Sequence, residues 1–238
     1  MLHTVAIVTR HEVERPGYYR LALEAPGIVR EAAPGQFVMV RCSSTYDPLL
    51  RRPISVFALY PDSGELELLY KVVGAGTRLL SEVRVGGAVD VVGPLGHGFT
   101  ILPGVHAIAV VGRGVGVASL ACLAHHARRH GIGVFAFVSA RSERSLLAVE
   151  HLRQMGCAVK ISTDDGSCGY QGLVTDLLRP RVTAEGIGQI FVCGSRRLAR
   201  AAAEIARQHE IRGQISLEER MACGVNACMG CVTLVGPP

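Results

Sequence analysis

Three cysteines near the end of the sequence have the spacing of a metal-binding motif. Cys223, Cys228 and Cys231 follow the pattern C-x4-C-x2-C. Plant-type iron–sulfur proteins bind a [2Fe–2S] cluster with this spacing and take the fourth ligand from a more distant cysteine. The usual zinc motifs combine separate C-x2-C pairs instead. The pattern therefore favours a [2Fe–2S] cluster, with a zinc site or a set of structural thiols as the alternatives.

The other five of the 8 cysteines are scattered along the chain. In a cytosolic protein such thiols are usually reduced and behave as small buried apolar residues. We expect that role for Cys42, Cys122, Cys157 and Cys168, whereas Cys193 is a candidate for the functional site. The sequence does not begin with a basic segment followed by a long apolar one, so we expect no signal peptide and a cytoplasmic location.

The composition argues against several classes of protein. The chain has 238 residues, of which 49% are hydrophobic and 19% charged. Because disordered chains are poor in hydrophobic residues and rich in charge, we expect a folded protein. The net charge of +5 comes largely from dispersed arginines, and tryptophan is absent. Because no basic run is interleaved with aromatic residues, we expect no binding to nucleic acid. The apolar runs are shorter than the ~20 residues that a membrane-spanning helix needs, so we expect no association with a membrane.

Residues 1–102 show the pattern of an antiparallel barrel or sandwich. Short β-like runs recur there between Gly, Pro, Asp and Ser residues, as in all-β domains. One helix is predicted at 76–83. The predicted strands are 5–8, 19–23, 37–41, 54–58, 66–73 and 89–92.

Residues 103–212 alternate between predicted strands and predicted helices. Such alternation predicts a parallel, doubly wound sheet with helices on both faces. The predicted strands are 106–111, 134–138, 158–162 and 189–193. One predicted helix ends near residue 130, and the other predicted helices are 146–155, 173–178 and 196–208. Residues 213–238 are a third segment, in which a short β-like piece at 214–217 leads to the cysteine motif.

Two segments of the first region have the residue types that bind a phosphorylated, flat ligand. Arg52-Pro53-Ile54-Ser55 combines a guanidinium, which donates in pairs to phosphate oxygens, with a rigid proline and a hydroxyl. Residues 70–77 run from a strand through a Gly-rich turn into a helix, whose first N–H groups can bind a pyrophosphate. An ordinary surface arginine and a flexible turn capped by Thr77 are the alternatives.

The second region has three segments typical of a dinucleotide site. Gly112-Arg113-Gly114-Val115-Gly116 lies between a predicted buried strand and a helix, where glycines let a dinucleotide approach the backbone. The third glycine comes one residue earlier than in a strict G-x-G-x-x-G motif. Segments 162–166 and 193–194 also follow strand ends, which is where ligands bind in open α/β sheets. A buried strand thiol is the alternative interpretation of Cys193.

Together these segments resemble the ferredoxin-reductase-like superfamily over essentially the whole chain. The segment 216–224 resembles, more specifically, the electron-transfer subunits of dihydroorotate dehydrogenase. The resemblance implies an FAD-binding β-barrel domain at 1–102, an NAD-binding α/β domain at 103–212 and a small [2Fe–2S] segment at 213–238. No cysteine follows Cys231, whereas the family carries its fourth ligand further on, so we expect the sequence to be truncated before that ligand.

The resemblance also implies which residues contact the two nucleotides. Ser55 is expected near the isoalloxazine ring of FAD, and Cys193 near the nicotinamide and the flavin. The residues expected to contact FAD are Arg52, Pro53, Ile54, Ser55, Leu69, Tyr70, Lys71, Gly76 and Thr77, of which the last two would meet the pyrophosphate. The residues expected to contact NAD are Gly112, Gly114, Gly116, Asp164, Cys193 and Gly194.

The sequence departs from the family pattern at several positions of the nucleotide half. Arg113 stands where the family usually has glycine, and Ser195 stands where it has proline. Arg141 and Arg144 follow the second predicted strand of this half, where arginine can hold the 2′-phosphate of NADP. Two solvated arginines are the alternative that we favour, because the family is linked with NAD.

By resemblance, the chain passes electrons between a partner's FMN, a [2Fe–2S] cluster, FAD and NAD while dihydroorotate is oxidised to orotate in pyrimidine biosynthesis. Flavins can exchange both hydrides and single electrons, so FAD belongs between the nicotinamide and the cluster. The expected partner is an FMN-containing catalytic subunit, in a hetero-oligomer that we expect to be a heterotetramer. A reductase subunit for ferredoxin, sulfide or sulfite chemistry is the first alternative, and a non-enzymatic nucleotide- and zinc-binding module is the second.

Overall fold

The computed structural model describes residues 1–233, and the first part of the chain forms a closed barrel of six strands. The strands are β1 (Leu2–Arg15), β2 (Tyr18–Glu24), β3 (Phe37–Val40), β4 (Arg52–Tyr60), β5 (Glu65–Lys71) and β6 (Ala88–Leu95). Around the barrel they follow the order β1-β2-β5-β4-β3-β6, and β6 pairs again with β1. All neighbouring strands are antiparallel, which confirms the predicted antiparallel barrel.

Alternating apolar residues fill the interior of the barrel. Successive side chains of a strand point to opposite faces, so Leu21 and Leu23 on β2 share the interior with Leu66 and Leu68 on β5. Helix α1 (Pro26–Glu31) covers this interior with the completely buried Ile28, and helix α2 (Ala75–Ser81) does so with Leu80. Helix α1 was not predicted, because six residues are too few to show a helical period.

The second part of the chain forms a parallel sheet of six strands. These are β7 (Ala107–Arg113), β8 (Gly133–Ala140), β9 (Ala158–Thr163), β10 (Tyr170–Gln171), β11 (Gln189–Cys193) and β12 (Arg212–Ser216). Their order is β10-β9-β8-β7-β11-β12, which confirms the predicted doubly wound sheet. The winding reverses between β7 and β11, and in open α/β sheets the ligand crevice lies at such a reversal, beyond the carboxyl ends of the strands.

Helices cover both faces of this sheet. Helices α3 (Val117–Arg129) and α4 (Val149–Gln154) share one apolar cluster with the barrel residue Phe57, whereas α5 (Val174–Ala184) and α6 (Arg196–Gln208) cover the opposite face. Helix α3 therefore lies between the sheet and strand β4 of the barrel. Within residues 1–233, no helix is long and apolar enough to cross a membrane.

A buried polar network lies at the junction between the barrel and the α/β half. The carboxylate of Glu67 is completely buried and accepts hydrogen bonds from Arg20 Nε at 2.7 Å and from the hydroxyl of Tyr60 at 3.0 Å. The guanidinium of Arg20 also lies 5.2 Å from the ring centroid of Phe57. The imidazole of His151 on α4 also packs against Phe57, with ring centroids 4.6 Å apart.

The imidazole of His151 is held neutral by this environment. Its Nε2 atom is buried and has no hydrogen-bond partner among the described residues. Burial, and next the charge of Arg20, lower the pKa of His151 to about 4. A proton on this ring would therefore place a second cation beside Arg20 at the junction.

We predict that protonation of His151 destabilises the folded protein in mild acid. Unfolded His151 takes up a proton below its ordinary pKa of 6.5, whereas the folded protein resists protonation down to about pH 4, so the free energy of unfolding falls across this window as the pH is lowered. Urea unfolding at pH 7 and pH 5 should show a smaller pH dependence in His151→Gln than in the unmodified protein. His130→Gln, which removes a more exposed imidazole, is the control; equal pH dependence in all three proteins would refute the prediction.

Candidate functional site

A cavity of about 560 Å³ opens between the barrel and the α/β half of the chain. Its wall is formed by the start of β4, the end of β5, the first turn of α2, the start of α3 and the segment that follows β12. Two segments that the sequence analysis singled out separately therefore meet here. The predicted residues that line the cavity are Arg52, Pro53, Ile54, Ser55, Leu69, Tyr70, Lys71 and Thr77.

The two adjacent arginines at this wall have different electrostatic environments. Arg51 donates to both carboxylate oxygens of Asp90, at 2.9 and 3.0 Å, so its charge is compensated. Arg52 donates to the backbone oxygen of Leu50 at 2.5 Å, and within residues 1–233 it forms no salt bridge. Arg52 therefore presents an uncompensated positive charge to the cavity, as a phosphate-binding arginine does.

The guanidinium of Arg52 lies against the first turn of α2. A Cβ atom on Gly76 would be 2.7 Å from Arg52 Nε, so this close approach depends on glycine. The hydroxyl of Thr77 accepts hydrogen bonds from the backbone nitrogens of Val73, at 2.9 Å, and Gly74, at 3.3 Å. Thr77 thus fixes the turn that carries Gly76, and its predicted contact with a pyrophosphate stays a prediction.

Strand β5 directs its three predicted residues to different surroundings. Leu69 packs in the apolar cluster that contains α3, and the ammonium of Lys71 lies 5.4 Å from the ring centroid of Tyr18. The side chain of Tyr70 packs inside the barrel, where its hydroxyl lies 3.0 Å from His11 Nε2. The phenol ring of Tyr70 therefore contributes to the barrel interior, and all three residues of this strand also line the cavity.

The Gly-rich turn after β7 and the end of β11 are in close contact at the reversal of the sheet. A Cβ atom on Gly116 would lie 2.8 Å from the carbonyl of Cys193 and 3.0 Å from the nitrogen of Gly194. Gly114 has φ of +56° and open space around it, and Gly194 has φ of +148°, backbone conformations that favour glycine. The segments 112–116 and 193–194, both predicted to bind a dinucleotide, therefore lie side by side at the reversal of the sheet, and we call this place the crevice. Gly112 packs closely on Val117, the first residue of α3.

Cys193 and Glu218 form a pair where this crevice meets the first cavity. The Cys193 Sγ donates to the Glu218 carboxylate at 3.8 Å. Burial raises the pKa of the Cys193 thiol to about 11, so the thiol is neutral at pH 7. Glu218 as a whole is exposed, but its carboxyl group faces the cavity, and this partial burial raises the pKa of that carboxyl. No role was predicted for Glu218, although it lies in the segment 216–224, which resembles the electron-transfer subunits of dihydroorotate dehydrogenase.

A second, smaller cleft of about 250 Å³ lies beyond the carboxyl ends of β7, β8 and β9. Arg113 donates to both carboxylate oxygens of Asp164 at its edge, at 3.1 and 2.7 Å. The first residues of α5 and α6 complete the cleft. Asp164 therefore lies at the carboxyl ends of the strands, its contact with NAD stays a prediction, and its ion pair with Arg113 was not predicted. Arg141 and Arg144 line neither this cleft nor the first cavity.

The cysteine motif forms a loop that packs on the barrel. A Cβ atom on Gly224 would lie 2.6 Å from Met39 Cγ on β3. The backbone nitrogens of Cys228 and Val225 lie 3.4 and 3.5 Å from Cys223 Sγ, and these donors lower the pKa of Cys223 to about 6.

The structure does not gather all three thiols of the motif into one ligand set. Within residues 1–233, no group of three or more His, Cys, Asp or Glu side chains has the arrangement that holds a metal ion. Cys223 and Cys228 are close through the hydrogen bond between them, and Cys231 follows one turn later. The role of Cys223, Cys228 and Cys231 as metal ligands therefore stays a prediction.

Residues 7–99 match the family model described as an oxidoreductase FAD-binding domain. The dihydroorotate dehydrogenase B (NAD(+)) electron transfer subunit of Desulforamulus reducens is 41% identical over 221 residues, which cover 92% of this chain and 84% of that protein. The subunit of the same name from Shouchella clausii is 37% identical over 230 residues, which cover 96% of this chain and 86% of that protein.

Solved structures share the same arrangement of barrel and sheet. The structure of an NADH-dependent reduced ferredoxin-NADP oxidoreductase has a TM-score of 0.83 and 26% identity, covering 96% of this chain and 81% of that one. The ferredoxin reductase of carbazole 1,9a-dioxygenase has a TM-score of 0.74 and 17% identity, covering 91% and 70%, and shows the fold alone. From the two curated relatives, the chain belongs to the family of dihydroorotate dehydrogenase B (NAD(+)) electron transfer subunits.

Proposed function

We propose that this chain binds FAD in the first cavity and NAD in the adjoining crevice, and that it passes electrons between NAD and the catalytic subunit of a dihydroorotate dehydrogenase. The observation that carries the proposal is the meeting of the two sites. The cavity that contains the Arg-Pro-Ile-Ser segment is also lined by Val115 and Ala118 of the Gly-rich turn and helix α3. A flavin in the cavity and a nicotinamide in the crevice would therefore be neighbours.

The cavity suits FAD in both size and chemistry. Its volume falls in the range of roughly 300–1,000 Å³ that is common for cofactor sites. Leu69, Val115 and Ala118 offer an apolar wall to a flat ring, and Arg52 beside Gly76 offers a free cation and an open backbone to phosphate. When bound, FAD exchanges a hydride with a nicotinamide and single electrons with an iron–sulfur centre.

Cys193 and Glu218 lie at the meeting point of the two sites. The neutral thiol of Cys193 donates to Glu218, and burial raises the pKa of this carboxyl. Leu217 and Met221 of the same segment line the cavity and restrict the access of water to it. In this interpretation Ser55 and Cys193 position the two rings, and neither acts as an acid or a base.

We also propose that Cys223, Cys228 and Cys231 are ligands of a [2Fe–2S] cluster. The chemistry of the loop supports this, because the lowered pKa of Cys223 favours the thiolate that ligates iron, and backbone N–H groups already surround its sulfur. Such clusters take four cysteines, so the fourth ligand must be supplied in addition to these three. A zinc site is the alternative for the same thiols.

The partner proposed for this chain is an FMN-containing catalytic subunit, in a heterotetramer. The cysteine loop carries the exposed apolar side chains of Val225, Met229 and Val232. It lies against β3 near the cavity, since Met221 lines that cavity and Gly224 contacts Met39. An apolar surface next to the redox site suits a permanent interface with a protein that delivers electrons.

A reductase subunit for ferredoxin is the second candidate function. The observation in its favour is the TM-score of 0.83 with an NADH-dependent reduced ferredoxin-NADP oxidoreductase. The higher identity to the dihydroorotate dehydrogenase subunits favours the first candidate. Assays with the catalytic subunit and with ferredoxin as alternative redox partners distinguish the two.

We predict that Gly76→Ala weakens FAD binding without destabilising the protein. The new Cβ would displace the guanidinium of Arg52, whereas alanine in place of glycine within α2 favours the helix. The amount of FAD per purified chain and the thermal unfolding of the FAD-free protein measure the two effects. Gly74→Ala is the matched control, because its Cβ would meet no atom within 4 Å. If Gly76→Ala retains FAD as well as Gly74→Ala does, Arg52 does not hold the cofactor in the proposed way.

We predict that NADH reduces an artificial dye in the presence of this chain alone, and that the cysteine motif is not needed for this activity. In protein supplied with the fourth cysteine ligand, Cys228→Ser should abolish iron binding and electron transfer to the catalytic subunit, but leave FAD content and dye reduction unchanged. Cys168→Ser, which changes a thiol outside the motif, is the control. Iron analysis, visible spectra and the two assays provide the measurements. Full iron content in Cys228→Ser would exclude this residue as a ligand, and zinc in place of iron would favour the alternative site.

We predict that the C-terminal loop binds the catalytic subunit. Val232→Asp should weaken the complex at least about tenfold, because a charge at an interface core is poorly solvated. Val85→Asp is the matched control, since Val85 lies in the turn before β6 and is similarly exposed, at 62% against 61% for Val232. Size exclusion of the co-expressed subunits measures the complex. Equal effects of the two substitutions would place the interface elsewhere.

A further inference from the structure

The ion pair between Arg113 and Asp164 crosses the carboxyl end of strand β8. Arg113 is the last residue of β7, Asp164 follows the end of β9, and β8 lies between these two strands. Both oxygens of the carboxylate are paired with nitrogens of the guanidinium. Ser139 at the end of β8 lines the same cleft as the pair. The pair therefore forms one edge of the nucleotide side of the sheet.

Neither the backbone nor the stability of the fold requires this pair. Arg113 has φ of −129° and ψ of 128°, which any residue adopts, so the turn does not select arginine at this position. The two side chains are 34% and 48% exposed, and exposed ion pairs contribute little to folding stability. The arginine and the carboxylate that holds it, 51 residues further along the chain, both line the cleft.

The two members of the pair are the residue types that distinguish the two forms of the nicotinamide dinucleotide. In doubly wound sheets a carboxylate accepts hydrogen bonds from the ribose hydroxyls of NAD, and an arginine accommodates the 2′-phosphate of NADP. Here the carboxylate compensates the arginine, and its remaining lone pairs stay available to a ribose hydroxyl. A 2′-phosphate would meet the negative charge of Asp164 and would have to displace that carboxylate before it could bind Arg113.

We propose that the Arg113–Asp164 ion pair, at the edge of the cleft beside the crevice, makes the nucleotide site select NADH over NADPH, with Asp164 as the residue that excludes the 2′-phosphate. This inference rests on the proposed function, in which the crevice binds a nicotinamide dinucleotide. Arg141 and Arg144, the arginines that sequence analysis considered for this purpose, line neither cavity.

Asp164→Asn tests the proposal, because it removes the carboxylate and leaves Arg113 free to bind phosphate. The ratio of kcat/KM for NADPH to kcat/KM for NADH in dye reduction should rise about tenfold or more, as expected for one new charge-assisted pair. Asp165→Asn is the matched control, since the carboxylate of Asp165 bonds to Ser167 instead. The double variant Arg113→Gln/Asp164→Asn should lose the gain, because the gain is attributed to Arg113.

Binding of ADP-ribose and of its 2′-phosphate, measured by calorimetry on the same four proteins, separates this proposal from the proposed function. Calorimetry needs no electron transfer, so it reports on the pair even if the unmodified protein fails to reduce the dye with NADH. The proposal is overturned if Asp164→Asn leaves the preference between the two ligands unchanged, if Asp165→Asn changes it equally, or if the double variant keeps the gain.

Discussion

The packing of helix α3 against strand β4 is the contact on which the candidate site depends. Each half of the chain has its own apolar core, but Phe57 of the barrel belongs to the cluster of the α/β half. Because α3 begins immediately after the Gly-rich turn, the contact that fixes α3 on the barrel also fixes that turn beside the cavity. Two sites on separate folding units can exchange electrons only at a constant short distance. A buried junction provides that distance better than a flexible linker would.

The polar part of this junction is costly for the protein to build. Glu67 is completely buried, and Arg20, Arg10 and the hydroxyl of Tyr60 all contact its carboxylate; taking such charges out of water costs free energy. Replacement of a buried ion pair by apolar residues of similar volume is often neutral or stabilising. The carboxylate and its donors lie on β5, β2, β1 and β4, so they fix strands of the barrel relative to one another. The contact with the other half is made by Phe57, whose ring packs against His151 on α4.

Much of the fold could be predicted from the sequence because it depends on local patterns. Alternation of apolar residues marks the strands of the barrel, and α6 begins and ends at the predicted residues 196 and 208. Helix α1 and strand β10 were missed because six and two residues carry no period. The predicted contact of Tyr70 with FAD stays a prediction. Tyr70 lines the cavity, and its ring packs inside the barrel because the parity of β5 places residues 66, 68 and 70 on the same inner face.

The charges of the site could not be assigned from the sequence, because they depend on contacts between distant residues. The sequence alone does not distinguish the charges of Arg51, Arg52 and Arg113, because each arginine lies within or next to a segment predicted to bind phosphate. Asp90 compensates Arg51 from 39 residues away, and Asp164 compensates Arg113 from 51 residues away. Arg52 presents a charge without a salt-bridge partner to the first cavity, as do Lys71 and Arg220 among the residues that the structure describes. The arrangement leaves Arg52 free on the flavin side and pairs Arg113 on the nicotinamide side, so the fold assigns different roles to a single residue type through the carboxylates it brings nearby.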